Sequence, residues 1–253
     1  MHSTAKDDDA EVKVMLLTGA SRGIGHATVK LFQARGWRVL TVSRQAFSAE
    51  CGWAMARESH LQADLSRLEE IEPLVAAVRS KLPNGRLHAL VNNAGISPKG
   101  TDGQRMGVVA SDAELWHRVM NVNLIAPSLL ARALLQELQA AGGSIVNVTS
   151  IAGSRVHPFA GVAYASSKAG LAALTREMAH ELGPYGVRAN AIAPGEIDTS
   201  ILSAGTDKIV EDLVPMKRLG DPTEVAETIH FLTSPAASYI NGAEIHINGG
   251  QHV

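Results

Sequence analysis

The sequence predicts an α/β protein in which a parallel sheet of about seven strands is covered by helices on both faces. Short apolar runs alternate with helical stretches, and the first run, at 12–17, is continuously apolar, which is typical of a strand buried on both faces. A glycine-rich turn follows this run directly, and polar residues cluster where later runs end. Because parallel strands share one carboxyl edge, where ligands bind in doubly wound sheets, these ends indicate a ligand site.

Composition narrows the class of protein. The 253 residues are 45% apolar and 19% charged, which fits a globular chain, and the net charge of −2 gives no general attraction to nucleic acid or an acidic membrane. Cys51 is the single cysteine, so no intrachain disulfide forms, and we interpret it as a structural thiol in a reducing compartment. Residues 1–11 are predicted to be a mobile tail rather than a secretory signal. We expect a cytoplasmic protein without a nucleic-acid or membrane partner.

The remaining elements follow the same alternation. Helices are predicted to end near Arg35, to begin at two segments with capping-box spacing (Ser66 with Glu69, and Ser111 with Glu114), and to start after Asp221. Pro73 lies inside the pattern that follows the first of these boxes, so its first turns are predicted to form a separate or kinked piece. The strands are predicted at 12–17, 38–42, 87–91, 144–148, 187–193 and 243–247, and long helices at about 111–140 and at 164–182. No linker or repeat divides the chain, so residues 12–253 are predicted to form one domain.

The glycine-rich turn predicts a phosphate site. Its sequence is TGASRGIG (18–25), with the spacing G-x-x-x-G-x-G rather than G-x-G-x-x-G. The mechanics are the same: glycines allow a tight turn and close approach to a pyrophosphate, and the next helix offers free N–H groups and a positive partial charge. A tight turn without a ligand is the alternative. Three glycines straight after an apolar strand favour the nucleotide.

The end of the second strand indicates the dinucleotide. An acidic residue at this place binds the ribose 2′-hydroxyl of NAD, whereas an arginine accommodates the 2′-phosphate of NADP. Ser43 and Arg44 stand here without a carboxylate, and Arg22 of the glycine loop supplies a second cation. We therefore predict NADP(H) as the cofactor; NAD(H) is the alternative if Arg44 is only a solvent-exposed side chain.

Seven motifs in one order give the chain a family resemblance. They are TGASRGIG (18–25), Asp64 in ADL, NNAG (92–95), Asn123 in NVNL, Ser150 in VNVTS, YASSK (164–168) and NAIAPGEIDT (190–199). Over about residues 12–250 the chain resembles the short-chain dehydrogenase/reductase family in its compact branch. The resemblance implies a Rossmann-like fold and an oxidoreductase that interconverts a small-molecule ketone or aldehyde and an alcohol, with a nicotinamide cofactor. It also implies a homotetramer or homodimer.

The resemblance implies roles for individual positions. The catalytic tetrad would be Ser150, Tyr164, Lys168 and Asn123, and no metal ligand is implied. Asp64 would bond the adenine amine. The implied cofactor contacts are Gly19, Ser21, Arg22, Gly23, Ile24, Gly25, Ser43, Arg44, Asp64, Leu65, Asn92, Ala94, Gly95, Tyr164, Lys168, Pro194, Gly195, Ile197 and Thr199.

Tyr164 and Lys168 have a chemical reason to act as a pair. They are four residues apart, about one helical turn, so their side chains share a face. A phenol can donate the proton that carbonyl reduction needs, but its ordinary pKa is about 10, and lowering it to about 7 to 8 takes about 3–4 kcal/mol. A lysine ammonium near 4 Å supplies about 4 kcal/mol at an effective dielectric of about 20. We therefore predict that Lys168 lowers the pKa of Tyr164; seen alone, the pair also fits a partly buried tyrosine beside a solvated lysine. Ser150 would bind the substrate oxygen, and Asn123 would support a water behind the lysine.

The substrate side of the site is less defined. His157 and Phe159, between the serine and the tyrosine, are candidates to face the pocket, although His157 also fits an exposed loop. Residues 196–217 are implied to form a movable lid. Ile201, Leu202 and Ile209 give it an apolar face that would close over an apolar substrate, or pack as a surface helix.

Two other functions stay open. One is a 3-oxoacyl-[acyl-carrier-protein] reductase, an enzyme that docks an acidic carrier through basic residues near the entrance. The segments expected there, at 139–144 and 182–186, contain no lysine or arginine, which disfavours this function. The other is a non-catalytic NADP(H)-sensing protein on the same fold, which would be expected to lose the tyrosine or the lysine.

Overall fold

The computed structural model describes residues 12–46, 56–101, 103–199 and 205–253. The predicted tail at 1–11, Cys51, and Ile201 and Leu202 of the predicted lid lie outside these ranges.

The described chain contains a seven-stranded parallel sheet, which confirms the predicted fold class. The order across the sheet is β3-β2-β1-β4-β5-β6-β7, so the strand order reverses between β1 and β4. The short strand β3 is the one that the apolar runs did not define. The strands are β1 Val14–Thr18, β2 Arg38–Ser43, β3 His60–Gln62, β4 Ala89–Asn92, β5 Ser144–Val148, β6 Arg188–Pro194 and β7 Glu244–Ile247.

Helices connect the strands and cover both faces of the sheet. In the described ranges they are α1 Gly23–Ala34, α2 Ala56–Ser59, α3 Ile71–Arg79, α4 Ala113–Met120, α5 Ala126–Ala133, α6 Leu135–Ala141, α7 Val162–Leu182, α8 Thr206–Leu213 and α9 Pro222–Thr233.

Two hydrophobic cores lie on opposite faces of the sheet, because successive strand residues point to opposite sides. From β1, Leu16 packs in the core that contains residues of α3, α5 and α7. Its neighbour Leu17 packs in the core that contains residues of α1 and α9. All five residues of β1 are buried, as the continuous apolar run predicted. The carboxyl edge is thus held between two packed layers.

The long helical region predicted at about 111–140 is divided in the structure. Asp112 caps α4, since its Oδ1 accepts a bond from the Leu115 N–H at 2.8 Å, whereas Ser111 donates to the Gly107 carbonyl. A π-helical turn, Asn121–Ile125, follows α4, and Leu134 separates α5 from α6. Periodicity did not reveal these breaks because apolar residues keep nearly the same face across them.

The capping box predicted at Ser66 is wrong. The Ser66 N–H and hydroxyl both donate to Asp64 Oδ1, at 3.0 and 2.8 Å, and α3 begins only at Ile71 after one 3₁₀ turn. Pro73 stands in the first turn of α3, where its missing N–H needs no partner. The expected separate first turn is therefore present. The Asp221 cap of α9 is also confirmed, with Oδ1 accepting from the Thr223 N–H at 2.7 Å.

Within the described ranges, none of the helices is by itself long and apolar enough to cross a membrane. Ala113–Ala133 and Leu135–Ala141 reach that length and composition only as a pair, across a bend of 63°. Leu130 and Leu138 of this pair are fully buried, as expected of core helices.

Candidate active site

A cavity of about 830 Å³ opens at the carboxyl edge of the sheet. It runs from the glycine loop after β1, across the ends of β2, β4 and β5, to the segment after β6. This is the place where the strand order reverses, so the loops on either side diverge and leave a crevice. The prediction that the polar strand ends meet at one edge is confirmed.

The glycine loop leaves room for a ligand at the start of α1. Gly19 has φ +74°, and a Cβ there would stand 2.8 Å from Ala94 Cα. A Cβ on Gly25 would stand 2.1 Å from the Gly19 carbonyl oxygen. Only glycine fits these two positions, and the loop therefore brings backbone and the N-terminus of α1 directly to the cavity.

The glycine loop and the end of β2 each present an arginine to the same cavity. Arg22 and Arg44 line it and are exposed, while the Ser43 hydroxyl donates to the Gln45 carbonyl at 2.9 Å. Asp64 lines it as well. Partial burial works to raise the pKa of Asp64, but hydrogen bonds from Ser66 and the charge of Arg44 outweigh this effect, so that the pKa lies below its ordinary value.

The turn after β4 is fastened to the glycine loop by Asn93. Its Nδ2 donates to the carbonyls of Thr18 and Gly19, at 3.1 and 2.8 Å. The resemblance implied a cofactor contact for Asn92, but Asn92 is buried and its Nδ2 donates to Asn147 Oδ1 inside the sheet at 2.8 Å. Asn92 therefore does not line the cavity.

Tyr164, Lys168 and Ser150 meet at the middle of the cavity, which all three line. Tyr164 and Lys168 lie on the first two turns of α7, and their one-turn spacing puts the ammonium 5.7 Å from the centroid of the phenol ring. Lys168 is 3% exposed, and its Nζ donates to the Val148 carbonyl at 2.6 Å. Ser150 follows β5 and hydrogen-bonds the Tyr164 side chain. The predicted pair is thus present as a geometric unit.

The electrostatics of this unit differ from the prediction. The protein around Tyr164 removes water from the phenol and raises its pKa; Ser150 partly offsets this effect, whereas the charge of Glu196 adds to it. Burial lowers the pKa of Lys168 to about 8. The expected lowering of the Tyr164 pKa by Lys168 is therefore not what the structure shows. For the pKa of both groups, the loss of contact with water is a larger effect than their neighbouring charges, and the sequence alone does not show how much water is lost.

Asn123 lies behind this unit rather than in the cavity wall. It is fully buried in the π-helical turn, where Oδ1 accepts from the Ile96 N–H at 2.9 Å and Nδ2 donates to Ser167 Oγ at 2.9 Å. A Cβ on Gly95 would stand 3.3 Å from Lys168 Nζ and 3.6 Å from Asn123 Oδ1, so the two groups flank the same point.

The segment after β6 closes the far end of the cavity. A Cβ added to Gly23 would lie 3.0 Å from Thr199 Cγ2, so this segment passes close to the glycine loop. Glu196 lines the cavity, and its Oε1 lies 2.6 Å from His157 Nε2. The two candidates for the substrate side, His157 and Phe159, both line the cavity as well, so the alternative of an exposed loop histidine does not hold for His157. Sequence reasoning did not single out Glu196; its only signal was a carboxylate directly after Pro-Gly at a strand end.

The structure brings nearly all predicted site residues to the one cavity. Of the predicted set, Asn92 and Asn123 do not line it. Those that do are Gly19, Ser21, Arg22, Gly23, Ile24, Gly25, Ser43, Arg44, Asp64, Leu65, Ala94, Gly95, Ser150, Tyr164, Lys168, Pro194, Gly195, Ile197 and Thr199. Asn93, Lys99 and Arg118 line it without having been predicted, and Glu196 and Thr206 line it although they were predicted only as part of the lid at 196–217.

Two segments that we expected near the entrance lie elsewhere. Residues 139–144 lead into the first residue of β5, and residues 182–186 lead into β6. Both therefore lie at the amino edge of the sheet, opposite the cavity of the same chain. Their lack of lysine and arginine therefore says nothing about the entrance formed by this chain and does not disfavour a carrier-protein substrate.

Fold and cavity together define a dinucleotide-binding type of α/β protein, and comparisons give the family. A family model described as enoyl-(acyl carrier protein) reductase matches residues 19–252. The chain is 56% identical to Protein FixR of Bradyrhizobium diazoefficiens over 250 residues, 98% of this chain and 90% of that protein. It is 35% identical to the 3-oxoacyl-[acyl-carrier-protein] reductase FabG of Vibrio cholerae, over 96% of this chain and 98% of that one.

Solved structures agree. An oxidoreductase of the short-chain dehydrogenase/reductase family from Brucella ovis, in complex with a partially ordered NAD, is 56% identical to this chain with a TM-score of 0.83, covering 94% of this chain and 100% of that one. The chain belongs to the short-chain dehydrogenase/reductase family and is an oxidoreductase of that family.

Proposed function

We propose that this protein is an NADP(H)-dependent oxidoreductase that interconverts a ketone or aldehyde and an alcohol, with Tyr164 as the acid and base. The observation that carries the proposal is the Tyr164 phenol, bonded to Ser150 and beside Lys168, in the wall of a cavity that starts at a glycine-lined helix N-terminus. Phosphate and reacting oxygen would thus be bound at two ends of one crevice.

The side chains divide the work of the reaction. A bound nicotinamide supplies or accepts the hydride. Because the pKa of Tyr164 is raised, the phenol is protonated at neutral pH and is ready to donate its proton to a carbonyl oxygen. Ser150 holds that oxygen and stabilises the charge that develops on it. Lys168, with a pKa of about 8, is poised to return a proton to the phenol, and Asn123 holds the turn beside it.

The charges at the end of β2 support NADP(H). Gly19 and Gly25 form a cradle that any Cβ would fill, which fits a pyrophosphate against the backbone. Arg22 and Arg44 line the same cavity and would bind an adenosine 2′-phosphate, and β2 ends without a carboxylate. The Brucella ovis relative holds a partially ordered NAD, so NAD(H) is the competing cofactor.

Turnover with a panel of ketones and alcohols tests the proposal. Cofactor oxidation or reduction is followed by nicotinamide absorbance for wild type and Tyr164→Phe. We expect turnover by wild type and a loss of about 1,000-fold in Tyr164→Phe, because a general acid contributes about 10²–10⁴-fold. Cofactor affinity, measured by fluorescence, serves as the control and should change less than about threefold. Equal turnover by both proteins would exclude the assigned role of Tyr164.

A 3-oxoacyl-[acyl-carrier-protein] reductase is the second candidate, because relatives with that name align over nearly the whole chain at 35% identity. Comparing kcat/KM for acetoacetyl thioesters on carrier protein and on coenzyme A distinguishes it from a general carbonyl reductase. A strong preference for the carrier-linked thioester would identify the specialised reductase.

A non-catalytic NADP(H) sensor has less support, since the tyrosine and the lysine are both present. Tight cofactor binding without turnover of any substrate would identify it. The lid stays a prediction: Thr206 at the start of α8 lines the cavity and Ile209 is buried. A homotetramer or homodimer, which light scattering would measure, and a cytoplasmic location also stay predictions.

A further inference from the structure

The carboxylate of Glu196 occupies a position at the substrate end of the cavity for which the proposed reaction gives no role. It follows Pro194 and Gly195 at the end of β6. Its side chain is 9% exposed, and it lines the cavity with Tyr164. Its charge reaches the phenol, whose pKa it helps to raise. A buried carboxylate is expensive unless its oxygens are paired, so its partners decide what it can do.

His157 pairs with Glu196 as a neutral imidazole. The Phe159 N–H donates to Nδ1 of His157 at 3.3 Å, which makes Nδ1 the acceptor nitrogen. Nε2 then carries the proton and donates it to Glu196 Oε1 at 2.6 Å. One tautomer satisfies both bonds without a charge on the ring, and the pair therefore brings a net negative charge to the cavity wall.

The cations around this wall are bonded to main-chain oxygens rather than to the carboxylate. Arg105 donates to the His157 carbonyl at 3.4 Å, Lys99 donates to the Phe159 carbonyl, and Arg155 donates to the Gln251 carbonyl. In the described part of the chain, Glu196 has no lysine or arginine within ion-pair distance; its short contact is to the neutral His157 ring. The negative charge is therefore not cancelled by direct contact with a lysine or an arginine.

One oxygen of the carboxylate remains for a ligand. Both hydrogen-bond partners of Glu196 within the described ranges, His157 at 2.6 Å and Gln251 Nε2 at 3.5 Å, are on Oε1. Oε2 has none among these residues, and it is not enclosed, unlike Gln251 Oε1. A carboxylate oxygen that borders the cavity would accept a hydrogen bond from a donor and would repel an anion.

We propose that Glu196 is a substrate-binding residue that accepts a hydrogen bond from a hydroxyl or ammonium group on the carbon next to the reacting carbon, and that it disfavours a carboxylate at that place. The substrates are thus vicinal amino alcohols or diols and the corresponding ketones, rather than the purely apolar carbonyl compounds that the apolar lid residues favoured. This inference rests on the proposed oxidoreductase function and deepens it.

Four alcohols that share a CH₃–CH(OH)– group test the inference, with its CH(OH) carbon as the reacting carbon. They are 2-butanol, 1,2-propanediol, 1-amino-2-propanol and lactate. In the first three the next carbon carries a methyl, a hydroxyl or an ammonium group, and in lactate the next carbon is a carboxylate. With NADP⁺ at pH 7 we expect kcat/KM for the hydroxyl and ammonium compounds to exceed that for 2-butanol by about tenfold or more. Lactate should be the poorest substrate. Equal values for these compounds, or a preference for 2-butanol or lactate, would overturn the proposal.

Glu196→Gln separates the charge from the hydrogen bond. The amide keeps an acceptor for His157 and puts an N–H₂ group near the substrate, so the preference for ammonium should fall about tenfold. The preference for hydroxyl should change less, because a hydroxyl can also accept a bond. Glu72→Gln, which alters an exposed carboxylate on α3, is the matched control and should leave all ratios unchanged. Unchanged ratios in Glu196→Gln would contradict the proposal, and the wild-type ratios decide it alone if that variant does not fold.

Binding distinguishes this inference from the proposed function. Nicotinamide fluorescence of the enzyme–NADPH complex is titrated with each of the four compounds. If no compound is oxidised but the diol and the amino alcohol bind more tightly than 2-butanol, the catalytic proposal fails and the Glu196 site stands. If the four compounds bind equally, the Glu196 site fails whatever the turnover.

Discussion

The two halves of the cavity are built in different ways. The cofactor half consists of backbone and glycines, with Arg22 and Arg44 at an exposed rim. The substrate half consists of side chains, and its polar pair, Glu196 and His157, is 9% and 12% exposed. A site made of backbone tolerates no Cβ and depends on short local motifs, whereas a site made of buried side chains depends on contacts between residues far apart in sequence. Substitutions should therefore act on the two halves by different physical routes.

The largest effect should come from adding a Cβ to the glycine cradle. In Gly25→Ala the methyl group would stand 2.1 Å from the Gly19 carbonyl oxygen, so the loop has to move. We expect NADPH affinity to fall by about 1,000-fold, or about 4 kcal/mol. Gly107→Ala is the control, because a Cβ there meets nothing within 4 Å and φ is not positive. Similar NADPH affinities of the two variants, measured by fluorescence titration, would show that the cradle is not a steric requirement.

The next largest effect should be on the pH dependence of stability, when the buried Lys168 at the junction of the two halves is replaced. Its pKa is about 8 in the folded chain against 10.5 ordinarily. Between these values the unfolded chain binds more protons than the folded chain, so stability rises with pH. The cost of burying the Lys168 ammonium is full below about pH 8 and disappears as pH rises to about 10.5. Lys168→Met removes this dependence. We expect the free energy of unfolding of wild type, relative to the variant, to rise by about 3 kcal/mol between pH 7 and pH 10.5.

Urea denaturation at several pH values measures this difference. The prediction concerns the pH dependence rather than the absolute stability, because Lys168→Met also removes the bond to the Val148 carbonyl. Parallel curves for the two proteins would mean that the lysine has an ordinary pKa in the fold.

A smaller effect is expected at the exposed rim of the cofactor half. Arg44→Ala should weaken NADPH binding by about tenfold, or about 1.4 kcal/mol, and change NADH binding little, since only the 2′-phosphate needs the cation. Arg38→Ala, at the other end of β2, is the control and should change neither affinity. If wild type binds NADH more tightly than NADPH, the interpretation of Ser43 and Arg44 is wrong.

The smallest effect is expected where neither half is touched. Asp221→Ala removes the bond from the Thr223 N–H to Oδ1 at the start of α9, which should cost about 1 kcal/mol of stability. Asp221 does not line the cavity, so kcat and cofactor affinity should be unchanged. Thermal unfolding and steady-state kinetics test both statements. A change in kcat would mean that general loosening of the fold, rather than local contacts, alters the site.

The sequence by itself determined the features that depend on neighbours along the chain. Apolar runs gave the parallel sheet, the glycines after β1 gave the cradle, and the four-residue spacing of Tyr164 and Lys168 gave a pair on one helix face. Backbone geometry fixes each of these within a few residues.

Only the tertiary structure decided the features that depend on burial and on distant partners. The pairing of His157 with Glu196 joins residues that are 39 positions apart, and no periodicity encodes it. The raised pKa of Tyr164 follows from the water that the assembled walls exclude. Desolvation belongs to the packed chain as a whole, and for this reason the sequence located the reacting groups while the fold set their charges.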